Sequence, residues 1–71
     1  MFSNLEKLLD SKSMSTKDYS VFLGIAEKTA YNKINGKTEF TLGEINKTSY
    51  LFPEYKIDYI FAQSDNNPKA S

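Results

Sequence analysis

The sequence predicts an all-α fold, a compact bundle of five short helices. Apolar residues recur three and four positions apart in three segments, which is the spacing of one face of a helix. Three serine or threonine residues stand three positions before an acidic residue: Ser3 before Glu6, Ser15 before Asp18 and Thr41 before Glu44. This pattern marks the first turn of a helix, because the two side chains cap each other's backbone N–H groups. Glycines and a proline fall between the segments and separate the predicted helices.

The first helix is predicted over residues 3–12. Ser3 is expected to cap its start, with Glu6 three positions on as the partner of a capping box. The inward stripe consists of Leu5, Leu8 and Leu9. A polar run at 11–13 ends the segment.

The second helix is predicted to begin at Ser15, with Met14 packing onto Tyr19 as a hydrophobic staple. Gly24 is expected to end it, since glycine adopts the left-handed conformation of a helix terminus at no steric cost. Ile25 then fills the angle between this helix and the next. The face expected to point inward consists of Tyr19, Phe22 and Leu23.

The third helix is predicted from Glu27 to Asn35, with Ala26 as its N-cap and Gly36 at its end. Ala30 and Ile34, four positions apart, form its inward face. The opposite side carries Lys28, Tyr31, Asn32 and Asn35. This helix is therefore expected to be held at the surface by only two apolar residues.

The fourth helix has the clearest start, because the box of Thr41 and Glu44 coincides with a staple of Phe40 and Ile45. It is predicted to reach about Leu51, before Pro53 blocks continuation. Residues 57–62 have strand propensity, but their length and context favour a short fifth helix with its apolar side chains inward, namely Ile57, Ile60 and Phe61. Residues 63–71 are polar and patternless, so we expect a disordered tail after a single domain at 1–62.

Composition excludes several classes of function. The 71-residue chain contains neither Cys nor His, so no metal site, cofactor or enzymatic activity is expected. It has no apolar run of membrane-spanning length and no signal peptide, and a cytoplasmic protein is expected. Nine lysines balance nine acids, with no arginine, and the charge is slightly positive over residues 1–38.

Three motifs in order carry a resemblance to a known family: Leu23-Gly24-Ile25, Asn35-Gly36-Lys37, and Phe40-Thr41-Leu42 followed by Glu44-Ile45. From Leu5 to Phe61 the chain resembles the XRE family, the Cro and phage-repressor type of helix-turn-helix domain. Residues 33–42, 51–55 and 58–61 are similar to small phage and prophage regulators. The resemblance implies a lambda-repressor-like fold and a transcription regulator, either a repressor or a Cro-like protein, bound to a double-stranded DNA operator.

In that fold the third helix lies in the major groove, and its first two turns reach the base edges. The expected base contacts are Glu27, Lys28, Tyr31 and Asn32. The expected phosphate contacts are Thr16, Lys17, Lys33, Asn35, Lys37 and Thr38. For two of these residues a role other than DNA contact stays open. The charge of Glu27 can simply stabilise the helix N-terminus, and Lys33 can simply shield Ile34 from solvent.

One domain with zero net charge makes few phosphate contacts, so a homodimer on a two-fold site is expected. Phe52, Tyr55 and Tyr59 are candidates for its surface or for the core. The alternative is an interaction module that kept this fold and binds another regulator or a host protein instead of DNA. The neutral charge and the absence of arginine favour that alternative.

Overall fold

A computed structural model describes residues 1–63, which contain helices and no strand. The helices are α1 (Ser3–Ser11), α2 (Thr16–Leu23), α3 (Glu27–Ile34), α4 (Leu42–Leu51) and α5 (Ile57–Ile60). The all-α prediction is therefore confirmed for this part of the chain, and residues 57–60 form a helix instead of a strand. Apart from Gln63, the expected disordered tail lies outside the described residues.

The start of α1 differs from the prediction. Phe2 occupies the N-cap position and no side chain caps the helix, so the Ser3–Glu6 box is wrong. The cause is tertiary: the Phe2 side chain is buried and its N–H donates to the Ile34 carbonyl at 3.0 Å. Packing against α3, and not a side-chain cap, fixes where the chain enters α1.

The end of α1 stores backbone strain. Ser13 has a φ of +58°, in the left-handed region that favours glycine. Its N–H donates to the Asp10 carbonyl, and the Met14 N–H donates to the Leu9 carbonyl, both at 2.9 Å. These paired bonds form a Schellman motif that closes the helix, with a serine where glycine is usual.

α2 begins and ends as predicted. Ser15 accepts a hydrogen bond from the Asp18 N–H, and the Asp18 carboxylate accepts one from the Ser15 N–H. At the other end Gly24 has a φ of +78°, and the N–H groups of Gly24 and Ile25 both return to the Ser20 carbonyl. Three residues, 24–26, then connect α2 to α3.

The inward face of α2 differs from the prediction in one of its three residues. Ser20 is buried, while Phe22 is 36% exposed. Burial of the serine is tolerated because its hydroxyl donates to the Lys17 carbonyl at 2.7 Å. The inward face of α2 is therefore formed by Tyr19, Ser20 and Leu23.

The buried apolar side chains of the hydrophobic core come from all the helices except α4, from Phe2 just before α1 and from Phe52 just after α4, and Leu51 of α4 packs against this core partly buried. Its buried members are Phe2, Leu5, Leu8, Leu9, Tyr19, Leu23, Ala30, Ile34, Phe52 and Ile60. α4 contributes the fully buried Thr48, whose Oγ1 lies 2.6 Å from the Tyr19 hydroxyl. The capping box predicted for α4 is confirmed, with Thr41 and Glu44 bonded reciprocally.

α5 packs beside α1, and the Asn4 side-chain amide donates to the Tyr59 carbonyl at 2.9 Å. Ile60 is buried and Phe61 half-buried, as predicted, but Ile57 is 41% exposed and not inward. Phe61 instead closes an aromatic trio with Phe2 and Phe40, whose ring centroids lie 4.9–5.9 Å apart at steep angles. No helix within residues 1–63 is both long and apolar enough to cross a membrane.

Candidate nucleic-acid interface

α3 lies at the surface with one side anchored in the core. Ala30 and Ile34 are buried, as predicted, with 0% and 4% of their surface exposed. Two side chains on other sides of the helix, Lys28 and Tyr31, are exposed, and Asn32 is half-buried. Because successive residues turn by about 100°, Lys28 and Asn32 lie one above the other, opposite Ala30.

Three of the expected base contacts, Lys28, Tyr31 and Asn32, lie on one side of α3. Glu27, in contrast, lies about 100° round the helix from Lys28, nearly in line with the buried Ile34. Glu27 and Lys28 occupy its first turn and are exposed. Tyr31 is 56% exposed and flanks them on the side of α1 and the start of α2. Thr29 is also exposed and flanks the Lys28–Asn32 line on its other side. Thr29 is not among the contacts predicted from the sequence, although the 100° turn per residue places it beside that line.

The start of α2 leaves two backbone donors without a partner in the helix. The capping box satisfies the N–H groups of Ser15 and Asp18. The remaining N–H groups of the first turn belong to Thr16 and Lys17, and such groups have no intrahelical acceptor. Lys17 is exposed and Thr16 half-buried, so a helix terminus with partial positive charge and one lysine lies at the surface here.

The segment after α3 contributes the second group of expected phosphate contacts. Lys37 and Thr38 are exposed. Asn35 is half-buried, and its side-chain amide donates to the Tyr31 carbonyl at 3.0 Å. Gly36 has a φ of +84°, and the N–H groups of Gly36 and Lys37 return to the Lys33 and Asn32 carbonyls, which fixes the turn on the helix end.

Lys33 has a different role from the expected phosphate contact. It is 8% exposed, its Nζ lies 3.0 Å from Oε1 of Glu44, and it donates to the Glu39 carbonyl at 2.9 Å. Both contacts hold the amine against the start of α4, away from the Lys28–Asn32 line. Lys33 therefore fixes α3 to α4. Its ion pair with Glu44 could not be predicted from the sequence because the two residues lie 11 positions apart.

The same ion pair alters the ionisation of Glu44. Partial burial alone would raise the pKa of this carboxyl group. The hydrogen bond from the Thr41 N–H and the nearby Lys33 amine outweigh it, and the pKa of Glu44 lies below its usual value. The Glu44 carboxylate therefore remains charged at neutral pH.

A cleft of about 430 Å³ opens beside α3, between α1 and the start of α2. Thr16 and Tyr31, two of the expected DNA contacts, lie on its wall. So do the carboxylates Glu6 and Asp10 of α1. The cleft thus places negative charge next to the helix terminus that would meet phosphate.

A search of family models, curated proteins and solved structures finds no significant match to this chain. Within residues 1–63, no group of three His, Cys, Asp or Glu side chains is close enough to hold a metal ion.

Proposed function

We propose that this chain is a sequence-specific DNA-binding transcription regulator of the phage or prophage repressor or Cro-like type. In this proposal α2 and α3 form a helix-turn-helix, and α3 enters the major groove. The observation that carries it is the position of α3, anchored by Ala30 and Ile34 with Lys28 and Tyr31 exposed. A helix held in this way can enter a groove about 12 Å wide without disturbing the core.

Base reading is assigned to the exposed side of α3. Asn32 can make two hydrogen bonds to an adenine edge, and Lys28 can donate to O6 and N7 of guanine. Glu27 can accept from N4 of cytosine, and Tyr31 can contact a thymine methyl group. Each good base contact is worth about 1–3 kcal/mol of discrimination.

Phosphate binding is assigned to the two ends that flank α3 in space. The free N–H groups of Thr16 and Lys17 suit one phosphate oxygen, as at other helix N-termini. The exposed side chains of Lys37 and Thr38 suit another, with Asn35 supporting the turn that holds them. Lys33 is left out because its amine is already paired with Glu44.

A single copy presents few cations, so we propose that two copies bind a two-fold site with half-sites about 34 Å apart. The stacked rings of Tyr55 and Tyr59, with centroids 5.2 Å apart, are 41% and 46% exposed. They are the candidate dimer surface; Phe52 is not, since it is 2% exposed and belongs to the core. We also propose that the protein is cytoplasmic, is not an enzyme and needs no cofactor.

The second candidate function is an interaction module that binds another regulator or a host protein. It is favoured by the zero net charge and by the carboxylates of Glu6 and Asp10 beside the start of α2. Those charges oppose phosphate and would suit a basic partner.

Selection of bound duplexes from a random pool tests the DNA proposal and reports half-site symmetry directly. The Lys28→Ala/Asn32→Ala variant is expected to lose its preference for the selected sequence over random DNA. Asn46→Ala/Lys47→Ala is a matched control, since it removes the same two residue types from an exposed part of α4. A pool that yields no enriched sequence, together with weak binding that hardly depends on salt, would favour the protein-partner function.

A further inference from the structure

We propose that Glu6 and Asp10 act as a repulsive element that weakens DNA binding regardless of the sequence bound. This inference rests on the proposed function. Both residues lie on α1, one turn apart, and line the cleft that Thr16 and Tyr31 also line. The carboxylates therefore lie beside the place assigned to a phosphate group.

The two charges are not neutralised by the described part of the chain. Within residues 1–63 the one ion pair within 4.0 Å joins Lys33 to Glu44, and no lysine pairs with Glu6 or Asp10. The lysines of α1 and its C-terminus, Lys7 and Lys12, do not line the cleft. A phosphate at the start of α2 would thus border a cleft lined by two acidic residues that have no ion-pair partner within residues 1–63.

Helix stability does not account for Asp10. A carboxylate in the first turn of a helix is favoured by the helix dipole, and Glu6 lies in the first turn of α1. Asp10 lies in the last turn, where a negative charge is disfavoured, and its carboxylate accepts no hydrogen bond within residues 1–63. The charge of Asp10 therefore destabilises α1 slightly. Because Asp10 lines the cleft, we assign its charge to repulsion of a bound phosphate instead of to helix stability.

The expected effect is on all DNA sequences alike. Glu6, Asp10 and the start of α2 border the same cleft, and the Debye length is about 10 Å at 0.1 M ionic strength, so repulsion between neighbours on the cleft is only partly screened. Phosphates are present in every sequence, whereas the base contacts of α3 depend on the operator. Repulsion therefore lowers the affinity for every duplex by a similar factor and leaves the preference for the operator unchanged.

The test compares Glu6→Gln/Asp10→Asn with the charge-matched control Glu54→Gln/Asp58→Asn, whose residues are exposed and outside the cleft. The probes are a random-sequence duplex and a pool-selected duplex, titrated by fluorescence anisotropy between about 50 and 200 mM salt. The cleft variant is expected to bind the random duplex about five- to thirtyfold more tightly at the low-salt end, with a steeper salt dependence. Its preference for the selected duplex should not increase, and the control should change binding less than about twofold.

Each other outcome is decisive. Equal gains in the cleft and control variants would show that total charge matters and the cleft does not, which overturns the inference and leaves the proposed function intact. Unchanged binding in the cleft variant would do the same. Binding by the cleft variant alone, with none by the unmodified protein, would support the inference. No DNA binding by any of the three proteins would overturn both proposals together.

Discussion

The hydroxyl of Tyr19 in α2 donates to Oγ1 of Thr48 in α4 across the buried side of the bundle. The two oxygens lie 2.6 Å apart, and both residues are 0% exposed. Thr48 Oγ1 has one proton, and it donates that proton to the Glu44 carbonyl at 2.8 Å. Thr48 can therefore only accept from Tyr19, and Tyr19 is the donor. This pair therefore fixes α2 to α4, and so holds one side of the two-helix unit that carries the candidate interface.

Tyr19→Phe tests that pair through alkaline stability. Burial raises the pKa of Tyr19 to about 12. Above pH 10 the unfolded chain loses this proton while the folded chain keeps it, so stability falls with rising pH, by roughly 2–3 kcal/mol at most. The variant should lose about 1 kcal/mol at pH 7 and show a shallower decline in urea melts between about pH 10 and 12. An equal decline in both proteins would contradict the assignment; Tyr50→Phe, 81% exposed, is the control.

Glu44→Gln tests the link between α3 and α4 through acid stability. The pKa of Glu44 is lowered from its ordinary value of 4.5 in the folded protein, so its contribution is complete above that pH and is lost as the pH falls further. The variant should be less stable at pH 7 by about 1–3 kcal/mol, because the Lys33 amine loses its carboxylate. Below pH 4.5 the melting temperature of the variant should also fall less steeply than that of the unmodified protein. Glu54→Gln, at an exposed carboxylate, should keep the full acid dependence.

Ser13→Gly tests the strained end of α1. With a φ of +58°, Ser13 bears a steric cost of about 1 kcal/mol that glycine does not have. Glycine loses more backbone freedom on folding, which offsets part of the gain, so the variant should be more stable by about 0.5–1 kcal/mol. Ser11→Gly, inside the last turn of the same helix, should instead be destabilising. A lower melting temperature for Ser13→Gly would show that the left-handed conformation is not the source of strain.

The features that the sequence predicted correctly are local in the chain. The boxes of Ser15 and Thr41 and the turn at Gly24 involve residues within five positions, and their geometry follows from residue type. The errors have tertiary causes. Phe2 replaces Ser3 at the start of α1 because it is bonded to Ile34, and Lys33 turns inward because Glu44 lies there. The cleft that joins Glu6 and Asp10 to Thr16 could not be foreseen, since periodicity does not tell which side of α1 faces α2.

Asn32→Ala and Lys37→Ala separate base reading from phosphate binding in the proposed complex. Asn32 lies in the line opposite Ala30, so its loss should cost about 1–3 kcal/mol on the selected duplex and relax the preference at one base pair. Lys37 lies in the turn after α3, so its loss should weaken binding to every duplex alike and flatten the slope of log affinity against log salt by about one unit. The two slopes and a competition assay with single-base variants of the selected duplex distinguish these effects. Equal losses for Asn32→Ala on selected and random DNA would contradict base reading by α3, because a side chain that contacts only phosphate cannot tell sequences apart.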